Sequence, residues 1–438
     1  MKLTIKEITK ACNGKFIGND DKLEITSYSK DTRTIKKGDC YVAIKGETFD
    51  GNDFLDKARD LGASCAIANK VVDNLPTILV DDTILAIQKL ATYVRDKSNA
   101  FVIGITGSAG KTSTKDMIAS VLSEKYKVLK TPGNLNGQIG LPLNILTYED
   151  EPVWVLEMGM NNFGELDKLS RIAKPNAAVI TNIGTAHIGI LGSRENILKA
   201  KLEIVNGMNE DGTLILNGDN DLLKTVKDKR NIITFGMDSN NNLQASNVLV
   251  NKDGTTFSCS NITYNVPVPG EVFVYNALAS IAVGHLLDLS NEEIKRGIET
   301  FKMSGNRMNL TKTKYYTILN DTYNANPDSV KSVLKTISSY QERKVAILGD
   351  MLELGTYEKE LHESVGEYLN GKIDVLITIG SLSKHINDKF NGEKYHFNNI
   401  EEVEKQITSI LKPNDYVVLK ASHSMRLDEL ANYLTSLK

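Results

Sequence analysis

The chain has 438 residues, with 52 Lys and Arg against 55 Asp and Glu, and 24% of its residues are charged. That length exceeds what one hydrophobic core serves, so two to four domains are expected, and a formal charge of −3 gives no reason to expect nucleic acid or an anionic membrane surface as partner. A hydrophobic content of 41%, no apolar stretch of membrane-spanning length and an opening, MKLTIKEITK, without an apolar leader point to a cytoplasmic globular protein.

Residues 1–98 hold short alternating segments, DCYVAIKG and CAIAN, followed by a helical stretch at Ile84–Arg95 and a polar boundary at Asp96–Asn99. This predicts a small α/β module. From 99 to 305 apolar strands alternate with helical periods: VIGIT before a helix from Lys111, VWVLE before one from Gly164, AAVIT before one from Arg194. TLILN and IITFG continue the series, which is the rhythm of a parallel sheet covered by helices. Short strands between about 242 and 268 suggest an antiparallel edge, and helices are expected at Tyr275–Leu287 and Asn291–Phe301. Residues 306–438 start a second α/β rhythm through YTILND, VAILGD, VLITIG and YVVLKA. It has a dinucleotide-binding pattern without G-x-G-x-x-G, so NAD is not expected there. The fold class is therefore α/β in three domains: a small module, a central parallel-sheet domain and a Rossmann-like domain. Cys12, Cys40, Cys65 and Cys259 are far apart, with no C-x-x-C pair, and read as small core residues in a reduced compartment.

The most telling string is IGITGSAGKT, Ile103–Thr112. An apolar strand breaks into a glycine-bearing loop and a helix opens at Lys111, the arrangement that surrounds a polyphosphate with backbone N–H groups, a lysine and a hydroxyl. Ile105 stands where the P-loop pattern has its first glycine, so Gly107 must make the tight turn. The phosphate cradle is expected from Thr106, Gly107, Ser108, Ala109, Gly110, Lys111, Thr112 and Ser113. Lys111 would reach the β/γ-phosphates and Thr112 would give its hydroxyl to Mg²⁺.

Ligands in open parallel sheets sit beyond the carboxyl ends of the strands. Glu157 ends VWVL, where a carboxylate can hold Mg²⁺ or merely cap a helix. His187 follows the next strand in TNIGTAH. Lys199 and Glu203 are four apart on a helix, which by itself reads as a solvated ion pair. Two amide-rich loops, TPGNLNGQ at 131–138 with Asn134 and Asn136, and DTYNANP at 321–327, suit a substrate-facing role or simple turn formation equally well.

Taken together, the strings TGSAGKTST, LEMGM, TNIGTAH, KAKLEI, YNALA, GNRM and NDTYNANP resemble the Mur ligase family of ATP-dependent amide-bond synthetases of peptidoglycan precursors. DTR at 31–33, AIKGETFDGNDF at 43–54, GDMLELG at 349–355 and LKASHS at 419–424 extend the likeness to nearly the whole chain. The resemblance implies a UDP-substrate domain at 1–98, an ATPase domain at 99–305 and an amine-binding Rossmann-like domain at 306–438. NDTYNANP and GDMLELG point within the family to joining D-alanyl-D-alanine to UDP-N-acetylmuramoyl-tripeptide through an acyl phosphate; a monomer is expected, though no motif gives the oligomeric state.

Residue by residue, the resemblance makes Lys111, Glu157, His187 and Lys201 the catalytic set. Thr112, Glu157, His187 and a carbamylated Lys201 would hold two Mg²⁺. Asn276, Arg307 and Asp321 fall on ATP-contacting positions. Asp31, Thr32, Arg33, Lys45, Gly46 and Asp50 would face the UDP-sugar, with Asn134 and Asn136 on the substrate loop and Asn324, Asn326 and Asp350 near the incoming dipeptide. Three departures stand out: Asn52 for the histidine of the FDGH string, Gly137 for the second Asn of N-F-N-N, and His423 for an arginine. Another amide ligase of the same superfamily remains an alternative. A P-loop nucleotide switch is another, but it lacks N-K-x-D: Asn69-Lys70-Val71-Val72 has no Asp, and Asn251-Lys252-Asp253 has it one place early.

Overall fold

The computed structural model describes residues 1–438 except Glu47, Asn306 and Lys438. Glu47 and Asn306 fall inside two of the strings above and lie outside the described residues. The largest sheet has seven strands, in the order Leu243–Gln244, Asn231–Gly236, Thr213–Asn217, Ala177–Ile180, Phe101–Thr106, Val153–Glu157 and Val128–Lys130. By its contacts the chain divides into two compact units. The first comprises residues 1–105, 126–178 and 203–213, the second residues 106–125, 179–202 and 214–438.

In the first unit, a five-stranded sheet runs in the order Lys15–Ile17, Thr77–Leu79, Cys65–Ala68, Cys40–Val42 and Tyr28–Ser29. Its apolar strands are buried, and Asp82 caps the helix Thr83–Lys97 by accepting from the Ile84 and Leu85 amides. That helix runs two residues past Arg95, because Arg95 and Lys97 suit its carbonyl end. All four cysteines are free and buried. Cys40 and Cys65, far apart in sequence, are direct partners across two parallel strands, which a one-dimensional reading of spacing misses. Val153–Glu157 pairs in parallel with the strand from Phe101, in a register that sets Glu157 opposite Ile105.

In the second unit, the helix Lys111–Leu122 packs on Val272–Leu286, whose residues are buried nearly all round. A Cβ on Gly297 would stand 2.4 Å from Val121 Cα, so the helix Asn291–Glu299 comes close only because that position is glycine. Ser246–Asn251, Gly254–Cys259 and Ile262–Val266 form their own antiparallel sheet, where an edge of the large sheet was expected. The C-terminal sheet has six strands, in the order Asn309–Lys312, Tyr316–Asn320, Asp415–Lys420, Lys344–Gly349, Val375–Ile379 and Glu393–Phe397. The four expected strands are there. The two outer ones carry too few consecutive apolar residues to show in a hydrophobic pattern. Among the described residues no helix is long and apolar enough to cross a membrane.

Candidate active site

The loop after Phe101–Thr106 is held in shape by its own backbone and by the segment Thr181–Gly184. Gly107 has φ +151°, and a Cβ there would lie 1.9 Å from Thr181 Oγ1, so only glycine fits. This is the turn that the missing first glycine left to Gly107. Thr181 Oγ1 donates to the Ala109 carbonyl at 2.6 Å, and the Ala109 amide donates to Asn182 Oδ1 at 2.9 Å. The Gly184 amide donates to Ser108 Oγ at 2.9 Å. Gly110, at φ +79°, opens the helix from Lys111. Lys111 Nζ donates to the Gly107 carbonyl at 2.8 Å, so its ammonium is folded over the loop. Thr112 and Ser113 are buried in the first turn, and Ser113 Oγ donates to the Gly110 carbonyl. Rigid backbone, a helix N-terminus and a cation thus meet where a polyphosphate would bind.

Lys201 is only 1% exposed, on the helix Arg194–Leu202. Burial, reinforced by the charge of Lys111, drives its amine well below the ordinary lysine range. His187 has a left-handed backbone, φ +64°, and its Nδ1 lies 2.9 Å from Glu353 Oε2, within ion-pair distance but poorly aligned for a hydrogen bond. Contact with His187 holds the Glu353 carboxyl below its ordinary value, and the charge of Lys111 adds to this.

Beside the loop opens a cavity of about 640 Å³, lined by Gly110, Asn182, Asp219, Tyr275, Asn276 and Lys331 among others. Asn276 is 3% exposed; its Oδ1 accepts from Thr114 Oγ1 at 2.9 Å, while its Nδ2 has no partner. A buried amide donor without an acceptor is costly, and Asn276 lies in the wall of this cavity. Arg307 stacks on Tyr323, with its Cζ 3.5 Å from the ring centroid, and His423 meets the same ring at 5.7 Å.

In the first unit, Glu157 is 2% exposed and accepts from Asn136 Nδ2 at 2.7 Å. Asn136 therefore orients a carboxylate from the loop that was expected to meet substrate, while Asn134 is exposed. Arg33 forks onto Asp31 at 2.6–3.0 Å and holds its carboxyl at about 2. Thr32 is half-buried between them in sequence. Lys45 bridges Asp50 across a hairpin that contains Gly46. Burial pushes the Tyr41 hydroxyl up to about 12, with smaller contributions from the charges of Asp31 and Asp50. Asn52 is built into that corner, accepting from the Asn69 amide and donating to Asp50 Oδ1 at 2.7 Å.

Several residues singled out in the sequence have structural partners. Glu203 accepts from the Gly164 and Asp167 amides and caps the helix Glu165–Ala173; it does not pair with Lys199. Asn326 caps Pro327–Ile337, accepting from the Ser329 amide at 2.8 Å, because Pro at the first helical position favours a helix start there. Asp350 is buried and accepts from the Leu382 and Ser383 amides at 3.0 and 2.7 Å. Asp321 is 7% exposed, accepts from the Met308 amide and pairs with Lys420, which also donates to the Asn324 carbonyl. Asn324 itself is exposed. Sequence reasoning did not single out Thr181, Asn182, Asp328, Glu353 or Lys420. All sit inside or beside strings already noted, Lys420 at the end of a strand in LKASHS, and that position was the available signal.

Family models for the Mur ligase family catalytic domain, the Mur ligase middle domain and the Mur ligase glutamate ligase domain match residues 24–101, 105–284 and 306–423. The chain is 38% identical to the UDP-N-acetylmuramoyl-tripeptide–D-alanyl-D-alanine ligase of Bacillus subtilis (strain 168), over 99% of this chain and 98% of that protein. It is 32% identical to the ligase of the same name from Escherichia coli (strain K12), over 99% and 98%. MurF from Acinetobacter baumannii superposes with a TM-score of 0.93 at 28% identity, covering 100% of this chain and 99% of that one. MurF ligase from Thermotoga maritima, solved in complex with ADP, gives 0.84 at 31% identity over 93% and 96%. With family models matching all three segments and likeness over its full length, the chain belongs to the Mur ligase family.

Proposed function

We propose that this chain joins D-alanyl-D-alanine to UDP-N-acetylmuramoyl-tripeptide with ATP, releasing ADP and phosphate, as a cytoplasmic, monomeric enzyme of peptidoglycan-precursor synthesis. The observation that carries the reading is the pre-shaped loop Gly107–Thr112 with Lys111 folded over it, in a chain 38% identical over its length to a ligase of that name. The tripeptide carboxylate is too poor an electrophile for an amine. It first takes the γ-phosphoryl group of ATP, with ADP leaving. The amine of the dipeptide then attacks the acyl carbon, and phosphate departs.

Two anions have to approach for the first step, so cationic and N–H groups must offset their repulsion. Lys111 and the amides of the loop supply that at the phosphates. The unpartnered Asn276 Nδ2 supports placing the base of ATP in the neighbouring cavity, with Arg307 toward the phosphates. The Thr112 hydroxyl and the Glu157 carboxylate are each an oxygen donor of the kind Mg²⁺ takes, and Asn136 fixes the carboxylate. His187 and Lys201 would hold Mg²⁺ only if Lys201 carries a carbamate, since a free lysine is no anion. Burial of its amine favours the neutral form that carbon dioxide needs. Bound Mg²⁺ supplies positive charge to the transferring phosphoryl group. Asp31, Thr32, Arg33, Lys45, Gly46 and Asp50 are proposed to take the UDP-sugar, and 1–98, 99–305 and 306–438 to be the three functional domains.

Phosphate release with mass analysis of the product tests this, omitting the UDP-tripeptide, the dipeptide and ATP in turn. Phosphate and a pentapeptide product are expected only with all three. Lys111→Ala and Glu157→Ala should each lower turnover by about 10²–10³ while the circular dichroism spectrum is kept. Near-normal turnover in either, or ATP consumption that needs no amine, refutes the assignment.

A further inference from the structure

Residues far apart in sequence meet on the loop that carries His187. Asp328 Oδ2 accepts from the Thr185 amide at 2.9 Å and from its hydroxyl at 3.0 Å, across 143 residues. Glu353 Oε2 lies 2.9 Å from His187 Nδ1, and the Gly189 amide donates to the Glu353 carbonyl at 3.3 Å. Tyr357 donates to the Gly192 carbonyl at 2.9 Å. Between these polar contacts the backbones touch. A Cβ on Gly189 would stand 2.4 Å from Gly355 N, one on Gly355 2.7 Å from Gly189 Cα, and one on Gly184 2.3 Å from Asp328 Oδ2.

His187 and Glu353 face each other from left-handed backbones, φ +64° and +65°, which residues with side chains hold only where their surroundings impose it. The Glu353 side chain nevertheless stays 52% exposed. The contact therefore joins two carboxylates, the Tyr357 hydroxyl and closely approaching backbone. On one side it holds the loop with His187. On the other it holds segments of the region proposed to bring the amine.

We propose that Asp328 and Glu353 are positioning residues that clamp loop 184–192, so that His187 is held ready only when the C-terminal region is seated. The proposal rests on the ligase reading above. It makes the two carboxylates a mechanical link between amine delivery and phosphoryl transfer, through the loop they share.

Hydrogen exchange by mass spectrometry on the full-length chain, with steady-state kinetics alongside, tests the clamp. The double variant Asp328→Ala, Glu353→Ala removes both carboxylates. Gly189→Ala wedges the backbone contact and touches no polar side chain. In each, amides of 184–192 should exchange about tenfold faster while those of the helix from Lys111 do not, and kcat should fall about tenfold with KM for ATP within about threefold. Asp328→Asn keeps an oxygen acceptor for Thr185, and in the background of an intact Glu353 it should leave both readouts within about threefold of the parent. Unchanged exchange at 184–192 overturns the proposal, and so does faster exchange with unaltered kcat. If the double variant loses protection throughout, Gly189→Ala decides by the same two criteria. A parent chain that does not ligate refutes the ligase reading, whereas the exchange result judges the clamp by itself.

Discussion

Lys201 is an amine taken out of water, and the structure gives it a second cation, Lys111, as electrostatic neighbour. Both effects favour the uncharged form, which can add carbon dioxide to become an anion. Lys201→Ala should therefore lower turnover by about 10² or more, and millimolar formate or acetate should restore part of it by standing in for the carbamate. Absence of rescue across short carboxylic acids would remove the carbamate from the account. Sequence showed this position only through resemblance, because a lysine on a helix is usually solvated and burial cannot be read from spacing. Lys111, Gly107 and Glu157 were more legible: each sits where a strand ends, and strand ends are visible in hydrophobic runs. Asn326 and Asp350 show how ambiguous that signal is. Short polar residues after strands serve helix caps and turns as often as ligands, and both make structural hydrogen bonds here.

The loop Met351–Gly355, which carries Glu353, depends on the helix Glu358–Leu369 through one imidazole. His362 is fully buried; its Nε2 accepts from the Met351 amide at 3.0 Å, and its Nδ1 lies 2.6 Å from the Glu358 carbonyl. One nitrogen accepts and the other donates, so the ring must be neutral. Burial lowers its pKa below the ordinary 6.5, against a smaller upward pull from the Glu358 carbonyl. The unfolded chain then binds this proton more readily than the folded one. Its contribution is complete above pH 6.5 and is lost progressively as the pH falls toward the folded value, at a limiting slope of about 1.4 kcal/mol per pH unit. Denaturant melts between pH 7.5 and 5.5 should show this fall, roughly one proton's worth, and His362→Asn should flatten it. Equal slopes in parent and variant would assign the acid sensitivity elsewhere. At this scale the alternation of strands and helices was legible, because buried parallel strands are continuous apolar runs. The outer strands Asn309–Lys312 and Glu393–Phe397 were not, since exposed residues dominate both.

At the scale of the whole molecule, the residues proposed to meet ATP concentrate in one compact unit. The phosphate loop from Thr106, Asn276, Arg307 and Asp321 all belong to the second unit, whereas Trp154, the one tryptophan, is buried in the first. The chain passes between the units five times, and three of those passages fall inside the strands Phe101–Thr106, Ala177–Ile180 and Thr213–Asn217. A strand cannot keep half its length ordered while the other half melts without losing its pairing, so the units should unfold together. Nucleotide present at a hundred times its Kd adds about 2.7 kcal/mol to the folded state. That stabilisation should appear equally in the thermal transition seen by Trp154 fluorescence and in the one seen by far-UV circular dichroism, although the tryptophan lies outside the unit assigned to the nucleotide. Lys111→Ala should abolish both shifts. A circular dichroism transition that rises with ATP while the Trp154 transition stays in place would mean that the units melt separately, and that strand continuity does not make one cooperative body of this chain.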